Sequence, residues 1–286
     1  MASLSEAKVC CVIGDPIEHS LSPIMHNAAF RKLGLNFVFV AFRVAKENLE
    51  DAIKGIRALS IKGVSVTIPH KVAIMSYLDE VDPLAQAIGA VNLVNNVEGR
   101  LIGYNSDGLG ALKALERNGV SIKGMKVVML GAGGAARAIA YTLASRCKEL
   151  RILNRTPSSA QGLVNALSKR FKCGLYYDGL TKDALAKALK DADLLINTTP
   201  LGMYPEVDQS PVDKELLRSD VVVFDIVYNP IETRLLKDAK EKGAKTISGV
   251  DMLVHQGAIA FKEWTSYDAP VDVMKDAVLA RLEARR

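Results

Sequence analysis

The segment at residues 126–136 constrains the fold of this chain more than any other, because an apolar run passes there directly into a glycine-rich turn. The residues read Lys-Val-Val-Met-Leu-Gly-Ala-Gly-Gly-Ala-Ala, and the apolar part is typical of a buried strand. The spacing of Gly131, Gly133 and Ala136 is that of a turn that holds a dinucleotide before a helix. Gly131 would permit the tight turn and Gly133 the approach of a pyrophosphate, which the amides near Ala135 would face. The segment therefore predicts a dinucleotide site.

The end of the next apolar run, residues 149–154, indicates which dinucleotide binds. An acidic residue there would hold the ribose 2′-hydroxyl of NAD, but the sequence continues Asn154-Arg155-Thr156. Arg155 offers a cationic fork and Thr156 a hydroxyl, and both suit a 2′-phosphate. We therefore predict NADP as the cofactor and keep NAD as an alternative. If the turn bound no nucleotide, Arg155 would be an ordinary solvated arginine at a strand end.

The composition is that of a globular protein long enough for two domains. The chain has 286 residues, of which 49% are hydrophobic and 24% charged. Its 37 lysines and arginines exceed its 32 acidic residues, and the net charge of +5 is spread along the sequence. So mild an excess does not predict nucleic-acid binding, and it is compatible with an anionic small-molecule substrate.

Cysteine use indicates a reducing compartment. The four cysteines are too few for a disulfide framework in a chain of this length, and no Cys/His spacing predicts a metal site. The N-terminus lacks the features of a signal peptide, and no apolar run reaches membrane-spanning length. We therefore expect a cytoplasmic monomer or homodimer with no metal and with neither nucleic-acid nor membrane partners.

Strand-like and helical patterns alternate in the first third of the chain, which predicts an α/β layer structure. Ser22 is expected to be the N-cap of the first helix, with Pro23 at its first position. A hairpin of strands at 92–96 and 100–104 is expected to close this unit. The other predicted strands are 9–13, 37–43 and 63–68, and the predicted helices are 23–32, 49–59 and 83–88.

The rest of the chain repeats the alternation and predicts a Rossmann-like doubly wound sheet. Two further helices, at 252–264 and 271–284, are expected to pack back on the first domain. The fold class is thus α/β, with an N-terminal substrate domain of residues 1–106 plus 250–286 and an NADP-binding domain of residues 107–249. The predicted strands of the second domain are 126–130, 150–153, 175–177, 194–197, 221–225 and 245–247.

A nicotinamide domain needs a partner that moves a proton, because hydride transfer to a carbonyl carbon leaves the oxygen to gain one. Lys71 lies just past a predicted strand end, and Asp107 begins the helix that leads to the cofactor domain. Taken alone, they would be a solvated lysine and a helix N-cap. His70 is the nearest competing base, for which we expect a structural role.

Several motifs agree with this arrangement and occur in order along nearly the whole chain. Together they resemble those of the shikimate dehydrogenase family, including its quinate/shikimate dehydrogenase branch. The matching segments are 14–23, 66–71, 89–92, 103–108, 130–136, 154–156 and 252–256.

The resemblance implies a role for each matching residue. Lys71 and Asp107 would be the catalytic pair. The implied substrate-binding residues are Ser20, Ser22, Thr67, Asn92, Tyr228 and Gln256. The implied cofactor-binding residues are Gly131, Ala132, Gly133, Gly134, Ala135, Asn154, Arg155, Thr156, Thr198, Thr199 and Gly249.

The resemblance also implies an activity, the NADP-dependent reduction of 3-dehydroshikimate to shikimate in aromatic amino-acid biosynthesis. One alternative is a quinate/shikimate dehydrogenase that uses NAD or both cofactors. A non-enzyme alternative is a ligand-sensing regulatory protein on the same fold, and a third is a Rossmann enzyme acting on folate or tRNA-linked substrates. The sequence departs from the family pattern at Ser65, where many members have Asn, at Ser106, where Thr is usual, and at Ser159, where a second basic residue is common.

Overall fold

The computed structural model of the protein describes residues 4–284. They form two compact units: the first unit contains the residues up to Asp107 and those from Val254 onward, and the second unit contains residues 108–253. Each unit is built on a six-stranded sheet, which confirms the predicted α/β class. The assignment of a substrate domain and a cofactor domain to residue ranges stays a prediction.

The sheet of the first unit is mixed, with the strand order β2-β1-β3-β5-β6-β4. Strand β1 (Lys8–Gly14) lies parallel to β2 (Phe37–Arg43) and to β3 (Gly63–Val66). Beyond β3 the pairing of β3 with β5 and of β5 with β6 is antiparallel, and a short strand that was not predicted, β4, ends the sheet by pairing in parallel with β6. The remaining strands are β4 (Glu80–Val81), β5 (Leu93–Val97) and β6 (Arg100–Tyr104), and the helices are α1 (Ser22–Lys32), α2 (Leu49–Ala58) and α3 (Pro83–Ile88).

The predicted hairpin is present in β5 and β6, and it turns through only two residues. Glu98 and Gly99 have φ angles of 54° and 89°, the left-handed conformation that a type I′ turn requires at both central positions. Val97 pairs with Arg100, so the loop is one residue shorter than predicted. Asn96 Oδ1 accepts from the Gly99 N–H at 2.8 Å and fixes the turn.

The N-cap role predicted for Ser22 is wrong. Leu21 precedes the helix with a nearly helical backbone, at φ −96° and ψ −3°, so that α1 begins at Ser22 itself. The helix has no side-chain cap, and the Ser22 N–H donates to Ser20 Oγ at 3.3 Å. Pro23 does lie in the first turn, as predicted.

The C-terminal helices pack in the first unit, as predicted. Most of α9 (Gly249–Thr265) belongs to this unit, and α10 (Val271–Glu283) lies against α1. Trp264 in α9 donates from Nε1 to the carbonyl oxygen of Val94 at 3.0 Å. Its indole lies over Gly63 in β3, where an added Cβ would come within 2.3 Å of Nε1. The glycine therefore allows the helix to approach the sheet.

Gly63→Ala is expected to lower the free energy of unfolding by about 1–3 kcal/mol, because the methyl group has no room beside the indole. Denaturation followed by the fluorescence of Trp264, the single tryptophan, measures the change. The control is Gly55→Ala in α2, where nothing lies within 4 Å of an added Cβ. Helix propensity should raise the stability of that variant by up to about 1 kcal/mol. Equal changes in the two variants would contradict the packing argument.

The sheet of the second unit is fully parallel and doubly wound, as predicted. Its order is β12-β11-β10-β7-β8-β9, so the direction of winding reverses between β7 and β10. Folds of this kind bind ligands at that point, beyond the carboxyl ends of the strands. The strands are β7 (Lys126–Leu130), β8 (Glu149–Asn154), β9 (Gly174–Gly179), β10 (Leu194–Asn197), β11 (Val222–Asp225) and β12 (Lys245–Ser248). The other helices are α4 (Asp107–Arg117), α5 (Gly134–Ala144), α6 (Pro157–Ser168), α7 (Lys182–Leu189) and α8 (Arg234–Glu241).

Residues 4–284 contain neither a membrane-spanning helix nor a cluster of metal ligands. No helix in this range combines the length and the apolar character that crossing a membrane demands. The same residues contain no group of three or more Cys, His, Asp or Glu side chains that could hold a metal ion. The four cysteines are free thiols, and three of them are buried.

Candidate active site

A buried ion pair is the most distinctive chemical feature of the first unit. Lys71 Nζ lies 2.5 Å from Asp107 Oδ2, and the two side chains expose only 14% and 6% of their surface. Lys71 lies in the loop after β3, and Asp107 is the first residue of α4. The two residues predicted as a catalytic pair are therefore in direct contact.

Two asparagines hold Asp107 in place. Asn92 Nδ2 donates to Asp107 Oδ1 at 2.9 Å, so each carboxylate oxygen has a partner. Asn105 Oδ1 accepts from the Asp107 N–H at 3.0 Å, and Asn105 Nδ2 donates to the carbonyl oxygen of Ala90 at 2.9 Å. Asn105 was not among the predicted residues, although an asparagine two residues before a helix start is the signal of an Asx turn. The carboxylate is therefore held in one orientation.

The loop that carries Lys71 is fixed by its backbone and by His70. The Val91 N–H donates to the Lys71 carbonyl oxygen at 2.7 Å. His70 is buried, and its Nε2 lies 2.7 Å from the carbonyl oxygen of Val44. Because a carbonyl oxygen only accepts, this nitrogen carries the proton. The contact gives His70 a structural role beside the lysine.

Three hydroxyl side chains that were predicted to bind substrate lie after neighbouring strands. Thr67 follows β3 directly, while Ser20 and Ser22 follow β1, and these two parallel strands end at the same edge of the sheet. Gly14, at the end of β1, lets the chain after β3 approach, since an added Cβ would lie 2.4 Å from Thr67 Cγ2. The Thr67 carbonyl oxygen accepts from the His70 N–H at 2.9 Å. These contacts hold the backbone of Thr67 beside the end of β1 and beside the loop of the lysine.

The last two predicted substrate residues lie in different units. Gln256 is on α9 in the first unit, whereas Tyr228 follows β11 in the second unit. Direct hydrogen bonds thus join Lys71, Asp107 and Asn92, and the roles of the other substrate residues stay predictions.

The glycine-rich turn of the second unit has the backbone form that its sequence predicts. Gly131 has a φ of +108°, and an added Cβ would lie 2.4 Å from Thr198 Oγ1. Gly133 precedes α5, which begins at Gly134 without a side-chain cap. An added Cβ at Gly133 would meet nothing within 4 Å, so the turn is open at this point. Uncapped N–H groups beside open space fit a dinucleotide pyrophosphate.

The segment after β8, the strand that pairs in parallel with β7, carries an exposed cation. Asn154 Nδ2 donates to the carbonyl oxygen of Thr156 at 2.9 Å, which curls the chain around Arg155. Arg155 is exposed, and it forms no ion pair with any residue of the described part of the chain. An accessible guanidinium without an acidic partner fits a 2′-phosphate.

A buried aspartate that was not among the predicted residues shapes the ends of β10 and β11. Asp225 accepts from Asn197 Nδ2 at 2.9 Å, from the Val227 N–H at 3.1 Å and from Thr233 Oγ1 at 2.7 Å. Asn197 Oδ1 in turn accepts from Thr199 Oγ1 at 2.7 Å. Burial raises the pKa of Asp225 to about 6, against the opposing effect of these hydrogen bonds. Asp225 therefore organises the segment of Thr198 and Thr199, both predicted to border the cofactor.

Asp225→Asn is expected to make the free energy of unfolding less dependent on pH between about 4 and 6. In this window the folded parent binds the extra proton, because the pKa of Asp225 is about 6 when folded and has an ordinary value of 3.8. The parent therefore loses stability as the pH rises through the window, and the loss persists at neutral pH. Urea unfolding should show the variant gaining up to about 3 kcal/mol relative to the parent between acid and neutral pH. Asp178→Asn, at an exposed carboxylate of β9, is the control, and a gain of the same size there would refute the assignment.

Gly249 has a packing reason to be glycine. An added Cβ would lie 2.3 Å from the carbonyl oxygen of Ile226 and 2.7 Å from that of Val227. The first turn of α9 thus lies directly against the backbone that follows β11. The predicted contact of Gly249 with the cofactor stays a prediction.

Three family models match successive parts of the chain. The model described as "Shikimate dehydrogenase substrate binding domain" matches residues 12–94. The "Shikimate / quinate 5-dehydrogenase" model matches residues 113–237, and the "Shikimate 5'-dehydrogenase C-terminal domain" model matches residues 249–279.

Relatives and solved structures agree over almost the whole length. A protein of Methanocaldococcus jannaschii named shikimate dehydrogenase (NADP(+)) is 50% identical over 283 residues, which cover 97% of this chain and 98% of the relative. A crystal structure of a shikimate dehydrogenase in complex with NADP+ is 48% identical, with a TM-score of 0.91 and coverage of 97% of this chain and 96% of that chain. The shikimate 5-dehydrogenase of Listeria monocytogenes in complex with shikimate and NAD is 38% identical, with a TM-score of 0.87 and coverage of 94% and 96%. This chain therefore belongs to the shikimate dehydrogenase family.

Proposed function

We propose that this chain is an NADP-dependent shikimate dehydrogenase, which reduces 3-dehydroshikimate to shikimate and catalyses the reverse oxidation. The observation that carries the proposal is the buried contact of 2.5 Å between Lys71 Nζ and Asp107 Oδ2. Support also comes from the family of the chain and from the name of its M. jannaschii relative.

Lys71 is the residue that gives and takes the proton. NADPH, when bound, supplies the hydride that reduces a ketone carbon. The ketone oxygen then needs a proton, which the Lys71 ammonium donates as a general acid. Asp107 holds Nζ in place and balances its charge. In the oxidation, the neutral amine of Lys71 accepts the proton of the alcohol as a general base.

The substrate residues supply directed hydrogen bonds to a small polyol acid. A ligand of this kind gives up its hydration on binding and needs donors and acceptors in return. Hydroxyl and amide side chains provide both. The proposed set is Ser20, Ser22, Thr67, Asn92, Tyr228 and Gln256.

The cofactor preference follows from the segment after β8. Arg155 and Thr156 would bind the 2′-phosphate of NADP, for which NAD has no counterpart. The open turn at Gly133 would receive the pyrophosphate. We infer cytoplasmic residence from the four free thiols, which are typical of a reducing compartment.

The test is an absorbance assay of NADPH or NADH formation by the purified protein, with shikimate and quinate each combined with NADP and NAD. We expect the highest kcat/KM for shikimate with NADP. Quinate is the second candidate substrate, because the model that matches residues 113–237 is described for both acids. A preference for quinate would replace the substrate in the proposal, and turnover of neither acid with either cofactor would overturn it.

A further inference from the structure

Ser106 lies at the centre of the hydrogen bonds that hold Asp107, although it is not among the predicted site residues. Its side chain is completely buried, with a relative exposure of 0%, and it directly precedes α4. Its neighbour Asn92, which directly precedes β5, is also buried. The two side chains contact each other beside the Lys71–Asp107 pair.

The backbone of Ser106 defines which way the Asn92 amide faces. The Ser106 N–H lies 2.8 Å from the atom assigned as Asn92 Oδ1. Because a backbone N–H only donates, that atom must be the amide oxygen, and the amide nitrogen must face the other way. Asn92 Nδ2 therefore donates to Asp107 Oδ1, at 2.9 Å.

The Ser106 hydroxyl engages the rest of the same amide. Its Oγ accepts from Asn92 Nδ2 at 3.0 Å and lies 3.3 Å from Asn92 Oδ1. The Asn92 amide nitrogen thus contacts both Ser106 and Asp107. Ser106 thus holds the Asn92 amide in place. The contact of this amide with Asp107 Oδ1 in turn determines how Asp107 Oδ2 faces Lys71 Nζ.

We propose that Ser106 is a positioning residue for the proton transfer. Its hydroxyl holds the Asn92 amide, the amide holds Asp107 Oδ1, and Asp107 Oδ2 then holds Lys71 Nζ where it can exchange a proton with the substrate oxygen. The inference rests on the proposed function. It assigns Ser106 an effect on the rate of the chemical step and none on substrate contact.

The test compares Ser106→Ala, Ser106→Cys and Ser106→Thr in the oxidation of shikimate with saturating NADP. Single-turnover experiments measure the rate of the chemical step, and steady-state experiments measure the KM for shikimate. Loss of one neutral hydrogen bond that acts through a neighbour should slow the Ala variant by about threefold to tenfold. Its KM for shikimate should change by less than about twofold, since the interaction acts through Asp107 and not on bound substrate. The Thr variant keeps the hydroxyl and should restore the rate, while the weakly bonding thiol of Cys should give an intermediate rate.

Thr265→Val is the matched control in the same unit, because it removes a hydroxyl that donates to the Phe261 carbonyl oxygen at 2.7 Å. It should lower the melting temperature and leave the turnover rate unchanged. A parental rate in folded Ser106→Ala would overturn the inference, and so would a raised KM with an unchanged rate, which would make Ser106 a substrate ligand. If the Ala variant does not fold, a parental rate for the Cys variant would also overturn the inference. A parent protein that turns over neither shikimate nor quinate would instead disprove the proposed function.

Discussion

Lys71→Ala is expected to lower kcat for shikimate oxidation by about 10²- to 10⁴-fold, the range that a general acid or base contributes. The variant keeps the cofactor segment of the second unit, so the KM for NADP should change little. The loss should reach both reaction directions, because the same amine donates the proton in one and accepts it in the other. Steady-state rates of oxidation and of reduction measure it.

A double variant tests whether Lys71 and Asp107 act as a unit, and a second lysine variant is the control. The double variant Lys71→Ala with Asp107→Ala should be no slower than Lys71→Ala alone, since residues that act as a unit are not additive. Lys62→Ala is the control for a lost lysine. In the described part of the chain, the Lys62 ammonium makes one hydrogen bond, which it donates to the carbonyl oxygen of Asn96. If Lys71→Ala turned over shikimate at the parental rate while folded, the catalytic role of the pair would be disproved.

Arg155→Ala is expected to raise the KM for NADP by about 10- to 100-fold, the value of a charge-assisted hydrogen bond to a phosphate. The KM for NAD should change by less than about twofold, because NAD lacks the group that Arg155 would bind. The ratio of kcat/KM for the two cofactors measures the effect directly.

The control for this prediction is Arg170→Ala, which removes another exposed arginine of the second unit. Its guanidinium donates to the Tyr141 hydroxyl at 3.4 Å, and its loss should leave both cofactor constants unchanged. An equal rise in KM for NADP and NAD with Arg155→Ala would show that the side chain supports the turn and does not select the cofactor.

Apolar patterns predicted the strands that are buried and missed those that depend on pairing. The bounds of β7 and β10 match the prediction, because buried apolar side chains fill these interior strands except for Lys126 at the start of β7 and Asn197 at the end of β10. Strand β9 extends beyond its predicted apolar run to Gly179, which pairs with Asn154. The backbone pairing that creates this end leaves no trace in side-chain polarity. The two residues of β4 were missed for the same reason, since they become a strand only by pairing with β6.

The candidate site was predictable as a set of positions but not as a set of contacts. Sequence placed Lys71 after a strand and Asp107 at a helix start, whereas their contact across 36 residues depends on how the first unit folds. Asn92 was predicted as a substrate ligand, and its amide is found to donate to Asp107. Asn105 and Asp225 resemble ordinary turn and strand-end residues, so only the hydrogen bonds distinguish them.

Gly131 and Gly133 lie two positions apart in one turn, but glycine is required at the two positions for different reasons. At Gly131 the chain itself forbids a larger residue, through its backbone angle and the nearby Thr198 hydroxyl. At Gly133 the surrounding space is empty, so a methyl group there would cost the unliganded protein little, and under the proposed function it would hinder only the nucleotide. Folding and affinity can therefore be altered separately within this single turn, one residue for each.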